Sequence, residues 1–135
     1  MSIRLIAIDI DGTLLDSRGH IPTENRDAVR EALDAGVAVA LVTGRSFHHT
    51  RPVGVALSDR IPLIVSNGAM MKRTNGHTLH RKTLDPTVTK KIIVKVRQHR
   101  LGAALVFDRP GPDQYLYEGI DWQHPNRRRY YELNR

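Results

Sequence analysis

The chain has 135 residues and none is cysteine. That excludes a disulfide framework, a zinc finger and a thiol nucleophile. Seven histidines leave a His/carboxylate metal site open. No apolar run approaches the ~20 residues that a membrane-spanning helix needs. The first residues lead straight into an apolar, strand-like segment with one Arg and no small-residue cleavage signal, so a signal peptide is not expected. There is neither an internal repeat nor a low-complexity tract. What remains is a soluble, cytoplasmic protein of one domain, or of one domain and part of another. A chain of this length hides roughly two-thirds of its unfolded surface on folding.

What is present is unevenly distributed. The net charge is +7, but residues 1–67 carry a net −1 and residues 68–135 a net +8. Such asymmetry fits nucleic-acid binding or a basic module facing an anionic substrate. It also fits half of a larger surface whose counterpart is missing.

Ile3 to Ile8 is a short apolar run ending at Asp9, and its β-branched content predicts a buried strand. Residues 12–22 read as a loop or small flap. A helix is expected from Pro22-Thr23, with Thr23 as N-cap, Ala28, Val29, Ala32 and Leu33 on its apolar face, and Gly36 stopping it. Val37–Val42 is a second strand-like run, ending in Thr43-Gly44-Arg45. A weaker helix begins near Ser46 and is expected to kink or end at Pro52. Pro62–Val65 is a third apolar run, closed by Ser66-Asn67-Gly68-Ala69. Strand, helix, strand, helix, strand is the pattern of a doubly wound parallel sheet, whose strands are buried on both faces. Beyond it, Asn75-Gly76 marks a hairpin between 69–73 and 77–82. Asp85-Pro86 opens a helix carrying Val88, Ile92, Ile93 and Val96, expected to end at Gly102. Two strands around Pro110-Gly111-Pro112 follow, and from Trp122 onward no element is expected.

Three strands thus end in polar clusters, and ligands of open α/β sheets bind at the carboxyl ends of strands. The first cluster is Asp9-Ile10-Asp11-Gly12-Thr13-Leu14. Carboxylates two apart on an extended chain share a side and repel, so they need a cation or a shared proton between them. Mg²⁺ prefers such hard oxygen ligands. Asp9 could act as nucleophile, and Asp11 could protonate a leaving oxygen and then activate water. Alone, an Asp-x-Asp is most often a solvated turn or cap. Thr43 alone is an N-cap, and Asn67-Gly68 alone a turn. Position at successive strand ends raises all three, because a hydroxyl and backbone N–H groups at a helix start can hold phosphate.

Asp9-x-Asp11-Gly12-Thr13-Leu14-Leu15, then Thr43-Gly44-Arg45, then Asn67-Gly68-Ala69, resemble the haloacid dehalogenase (HAD) superfamily, and the Asn-Gly-Ala resembles its Cof-type, subclass IIB phosphatases. The resemblance covers residues 1–82 well and 83–135 more loosely. It implies an α/β fold: the N-terminal part of a doubly wound, Rossmann-like core over 1–82 and a partial α/β cap domain over 83–135. It implies Mg²⁺-dependent hydrolysis of small phosphomonoesters such as sugar phosphates. Asp9 would form an aspartyl-phosphate and Asp11 would be general acid, then base. Asp9 and the Asp11 carbonyl would bind Mg²⁺. Thr43 and the Gly44 amide would hold the phosphoryl oxygens, with Arg45 and Asn67 as lesser substrate contacts.

Members of the superfamily also carry a later Lys and a Gly-Asp-x-x-Asp-type motif, and neither has a match in these residues. The resemblance therefore implies a chain truncated within the cap, impaired in activity, with an unpaired apolar first strand open to self-association. The alternatives are a non-catalytic relic or interaction fragment on the same fold and, less favoured, a basic nucleic-acid-binding protein. Arg127-Arg128-Arg129 with Tyr130-Tyr131 would serve the last, but charge runs are usually solvated. His48-His49 point apart on a helix and read as surface, Met70-Met71 as packing, and Trp122 as an anchor. The partner expected is a small phosphorylated metabolite, with no membrane and with nucleic acid less favoured.

Overall fold

A computed structural model describes residues 2–134. The described chain separates into two compact units, Met1–Lys82 and Thr83–Arg135.

In the first unit, β1 (Leu5–Asp9), β2 (Ala38–Val42), β3 (Leu63–Val65), β4 (Met70–Lys72) and β5 (Thr78–Arg81) form one sheet in that order. β1, β2 and β3 run parallel, with Asp9 level with Val42; β4 runs antiparallel to β3, and β5 antiparallel to β4. The two crossovers are α1 (Thr23–Asp34) and α2 (Phe47–Leu57). Both step in the same direction, and right-handed crossovers then put both helices on one face. α1 packs on β2, α2 on β3, and the helices touch each other. The core between them is Ile10, Leu14, Val29, Leu33, Val39, Leu41, Leu57, Ile61, Leu63 and Val65. This is a Rossmann-like arrangement extended by an antiparallel hairpin.

Three expectations about this unit are corrected. β1 is not buried on both faces: it is the edge strand, and Leu5 is 61% exposed. Past the end of β1, Asp11 sits with an extended backbone in a wide turn over Ile10–Leu14, closed by Leu15 N–H donating to the Ile10 carbonyl at 3.0 Å. Pro22, not Thr23, is the N-cap of α1, and Thr23 is already helical. Of the two outcomes expected at Pro52, ending the helix is excluded, since α2 runs on to Leu57. Thr50, Gly54 and Leu57 are buried at helical spacing, and that packing outweighs the hydrogen bond Pro52 cannot donate. Gly36 does stop α1. It has φ 79°, its N–H bonds the Leu33 carbonyl and Val37 N–H bonds that of Ala32.

In the second unit, α3 (Pro86–Gln98) starts on Asp85, whose carboxylate accepts from Thr87 N–H at 2.7 Å and Val88 N–H at 3.4 Å. β6 (Ala103–Val106) and β7 (Tyr115–Glu118) pair antiparallel, and α4 (Pro125–Asn134) follows. Arg100, φ 52°, takes the left-handed position after α3, so the helix closes before Gly102. The existence of α4 corrects the expectation of a tail without structure. Its Tyr130 and Tyr131 pack edge-on against Tyr115 and Tyr117, and Trp122 joins the cluster. The aromatic stripe supplies what its weakly patterned sequence does not.

Candidate active site

The loops after β1, β2 and β3 meet at the carboxyl end of the parallel strands, for reasons local to each. Gly12, φ 80°, lets the chain turn back directly after Asp11. After β2, Thr43 is buried and its Oγ1 accepts from Arg45 N–H at 3.1 Å. That leaves the Thr43 hydroxyl proton able to point elsewhere. Ser46 then caps α2 and its Oγ lies 3.0 Å from His49 Nδ1. After β3, Ser66, Asn67 and Gly68 all have positive φ, at 52°, 55° and 87°. This unusual run turns the backbone so that Ser66 N–H donates to the Arg45 carbonyl at 2.8 Å and Asn67 N–H to that of Thr43 at 3.2 Å.

These bonds hold the second and third loops as one body. A Cβ on Gly44 would lie 2.9 Å from Asn67 Oδ1, so any larger residue there must push the Asn67 side chain aside. The first loop is tied in by charge. Arg45 donates from Nε to Asp11 Oδ2 at 2.8 Å and from Nη2 to the other Asp11 oxygen, a two-pronged pair. Asp11 is 60% exposed and Arg45 29%. Asp9, Gly44 and Asn67 are also solvent-accessible.

The structure therefore brings Asp11, Thr43, Gly44, Arg45 and Asn67 into one neighbourhood, with Asp9 ending the strand beside them. Sequence reasoning missed the Arg45–Asp11 pair, since nothing marks partners 34 residues apart. It also missed Ser66, whose main chain joins the loops. A hydroxyl residue before Asn-Gly was the only available signal. His48 and His49 stack edge to face at 5.2 Å between centroids. Among the described residues no group of three His, Cys, Asp or Glu side chains could hold a metal ion. The Asp9 carboxylate and the Asp11 carbonyl are oxygen donors of the hard kind that Mg²⁺ prefers, and its shell is commonly completed by water and phosphate oxygens.

No helix among the described residues is long and apolar enough to cross a membrane. The haloacid dehalogenase-like hydrolase family model matches residues 6–132. The chain is 40% identical over 91 residues to the 5-amino-6-(5-phospho-D-ribitylamino)uracil phosphatase YwtE of Bacillus subtilis, covering 67% of this chain and 31% of that one. It superposes on a haloacid dehalogenase-like hydrolase from B. subtilis with a TM-score of 0.68 at 31% identity, over 78% of this chain and 36% of that one. The fold is also that of the HAD subclass IIB sugar phosphatase BT4131, with a TM-score of 0.69 at 17% identity, over 96% of this chain and 48% of that one. The chain thus spans about a third of the curated relative and up to about half of these structures. Strand-end carboxylates, a Thr-Gly loop at a helix start, the sheet order and the family match agree: the chain belongs to the haloacid dehalogenase-like hydrolases.

Proposed function

We propose that this chain supplies the nucleophile half of a Mg²⁺-dependent phosphatase centre acting on small phosphomonoesters, of the sugar-phosphate kind. The observation that carries the reading is the meeting of Asp9, Asp11, Thr43, Gly44, Arg45 and Asn67 at three strand ends.

An Asp9 carboxylate oxygen attacks phosphorus, and the ester P–O bond breaks. Asp11 gives its proton to the departing oxygen, leaving an aspartyl-phosphate and a free alcohol. Asp11 then takes a proton from water as that water attacks the same phosphorus, which releases inorganic phosphate and restores Asp9. The Thr43 hydroxyl and the Gly44 N–H hold the non-bridging oxygens in place. Asp9 and the Asp11 carbonyl would hold Mg²⁺, which when bound neutralises charge on the transferring group. Residues 83–135 are proposed as the start of the family's cap module, and the cytoplasm as the site of action.

The 135 residues contain no Gly-Asp-x-x-Asp sequence. Turnover by this chain on its own is therefore expected to be weak or absent. A second reading, a non-catalytic module that associates through its sheet edge, is favoured by the exposure of β1.

Phosphate release from a panel of sugar phosphates, with and without Mg²⁺, tests the catalytic reading. Amide spectra with inorganic phosphate and Mg²⁺ supply a readout where turnover is too slow to see. We expect Mg²⁺-dependent release, or shifts centred on Thr43 and Gly44, and expect Asp9→Asn to abolish turnover. Release that survives Asp9→Asn, or neither release nor shifts, overturns it.

A further inference from the structure

Asp11 presents a difficulty that the proposed chemistry does not resolve. Both of its carboxylate oxygens are taken by the Arg45 fork. A side chain that must pass a proton to a leaving oxygen cannot do so while both oxygens accept from a guanidinium. We infer that Arg45 is a positioning residue with two alternative anionic partners. It pairs with Asp11, and exchanges that carboxylate for the phosphoryl oxygens of a ligand held at Thr43 and Gly44. The exchange frees Asp11 only when a phosphoryl group is in place. This inference rests on the phosphatase reading of the site.

Three observations carry it. First, the Arg45 main chain is held from both sides, its N–H on Thr43 Oγ1 and its carbonyl by Ser66 N–H. Exchange therefore needs only side-chain rotation. Second, Asp11 is 60% exposed and the pair lies in solvent-screened surroundings. Pairs of that kind are weakly held, so a dianion can compete for the guanidinium. Third, Arg45 directly follows Gly44 and stands just ahead of Ser46, the cap of α2. The side chain thus springs from the segment where N–H groups favour an anion. A guanidinium binds phosphate with the same fork it uses on carboxylate, which an ammonium does not.

The test is a double-mutant cycle on the whole chain with inorganic phosphate as probe and no divalent cation, read by calorimetry and amide shifts. Asp11→Asn removes the competitor and also removes a repelling charge. The second effect persists when Arg45→Gln is already present, and the first does not. Asp11→Asn is therefore expected to tighten phosphate binding about two- to fivefold more with Arg45 than in the Arg45→Gln background. Arg45→Lys is expected to show a smaller coupling, since it keeps the charge and loses the fork. In the unsubstituted chain, phosphate is expected to shift the Arg45 Nε–H and the Asp11 carboxyl carbon together.

An equal effect of Asp11→Asn in both backgrounds, or an Arg45 Nε–H resonance unmoved by bound phosphate, overturns the exchange and leaves the phosphatase reading intact. Failure of every variant to bind phosphate overturns the exchange, and the phosphatase reading is then decided by the phosphate-release and amide measurements made with Mg²⁺.

Discussion

At Gly44 the requirement is space. The Cβ of an alanine there would approach Asn67 Oδ1 to 2.9 Å, but Asn67 is exposed and can swing aside. Gly44→Ala is therefore expected to cost no more than about 0.5 kcal/mol in denaturant unfolding, the range of ordinary surface changes. It should nevertheless weaken phosphate binding, because the displaced Asn67 and the new methyl crowd the phosphate loop. Calorimetry checks the second outcome, and Asn67→Ala combined with Gly44→Ala should recover part of it. The candidate residues themselves were legible from sequence, since each follows an apolar run and carries an oxygen or a glycine. What they touch was not. Asp11 and Arg45 each have many polar partners available to them, and only the fold selects one.

At the scale of elements, Gly54 sits in α2 facing β3, and an added Cβ would lie 2.7 Å from Leu63 Cδ2 and 3.2 Å from Thr74 Cγ2. Leu63 is fully buried and cannot swing out. Gly54→Ala is expected to destabilise the first unit by about 1–3 kcal/mol, the usual cost of overpacking. Unfolding of Gly54→Ala with and without Leu63→Ala checks this, the second change relieving the clash. In the second unit, the Tyr117 hydroxyl is buried with no hydrogen-bond partner among the described residues. That burial, with Tyr130, Tyr115 and Tyr131 nearby, pushes its pKa up to about 12. The folded state therefore holds this proton more tightly than the unfolded chain does. Its contribution is whole below the ordinary tyrosine pKa near 10 and is lost as pH rises toward 12. Ultraviolet titration should show one phenol ionising late. The aromatic near-ultraviolet signal of this unit should fade over the same interval. Tyr117→Phe should move that fading to higher pH. Helix α2 passing through Pro52, and α4 forming at all, were not legible. Propensity and spacing are local, whereas burial of Thr50, Gly54 and Leu57, or of the tyrosine cluster, depends on distant partners.

At the scale of the whole molecule, β1 is the free edge of the five-stranded sheet, with Leu5 61% and Ile6 36% exposed. An apolar groove of about 260 Å³ runs beside it, between Ile6 and Ile8 on the strand and Ala28 and Ala32 on α1. Unpaired main-chain groups beside apolar side chains invite another strand. Sedimentation is expected to show association rising with concentration, and Leu5→Lys is expected to reduce it while the amide spectrum keeps its dispersion. A monomer at every concentration, with slow exchange across residues 5–8, contradicts this expectation. The edge position of β1 agrees with the expected unpaired first strand, and only the expectation of a buried strand fails. Such a run is written for a strand covered on both faces, and here one side has no neighbour.

Taken alone, the sequence determined the features that a few neighbouring residues control. These are the strand-end clusters, the stop at Gly36, the Asn75-Gly76 hairpin and the start of α3 on Asp85. Each depends on φ preferences, side-chain branching or a hydrogen bond spanning a few residues. Only the tertiary structure decided that Arg45 grips Asp11 and that Asn67 closes on Gly44. Those outcomes join residues far apart in the chain, and their partners are chosen by packing rather than by local pattern.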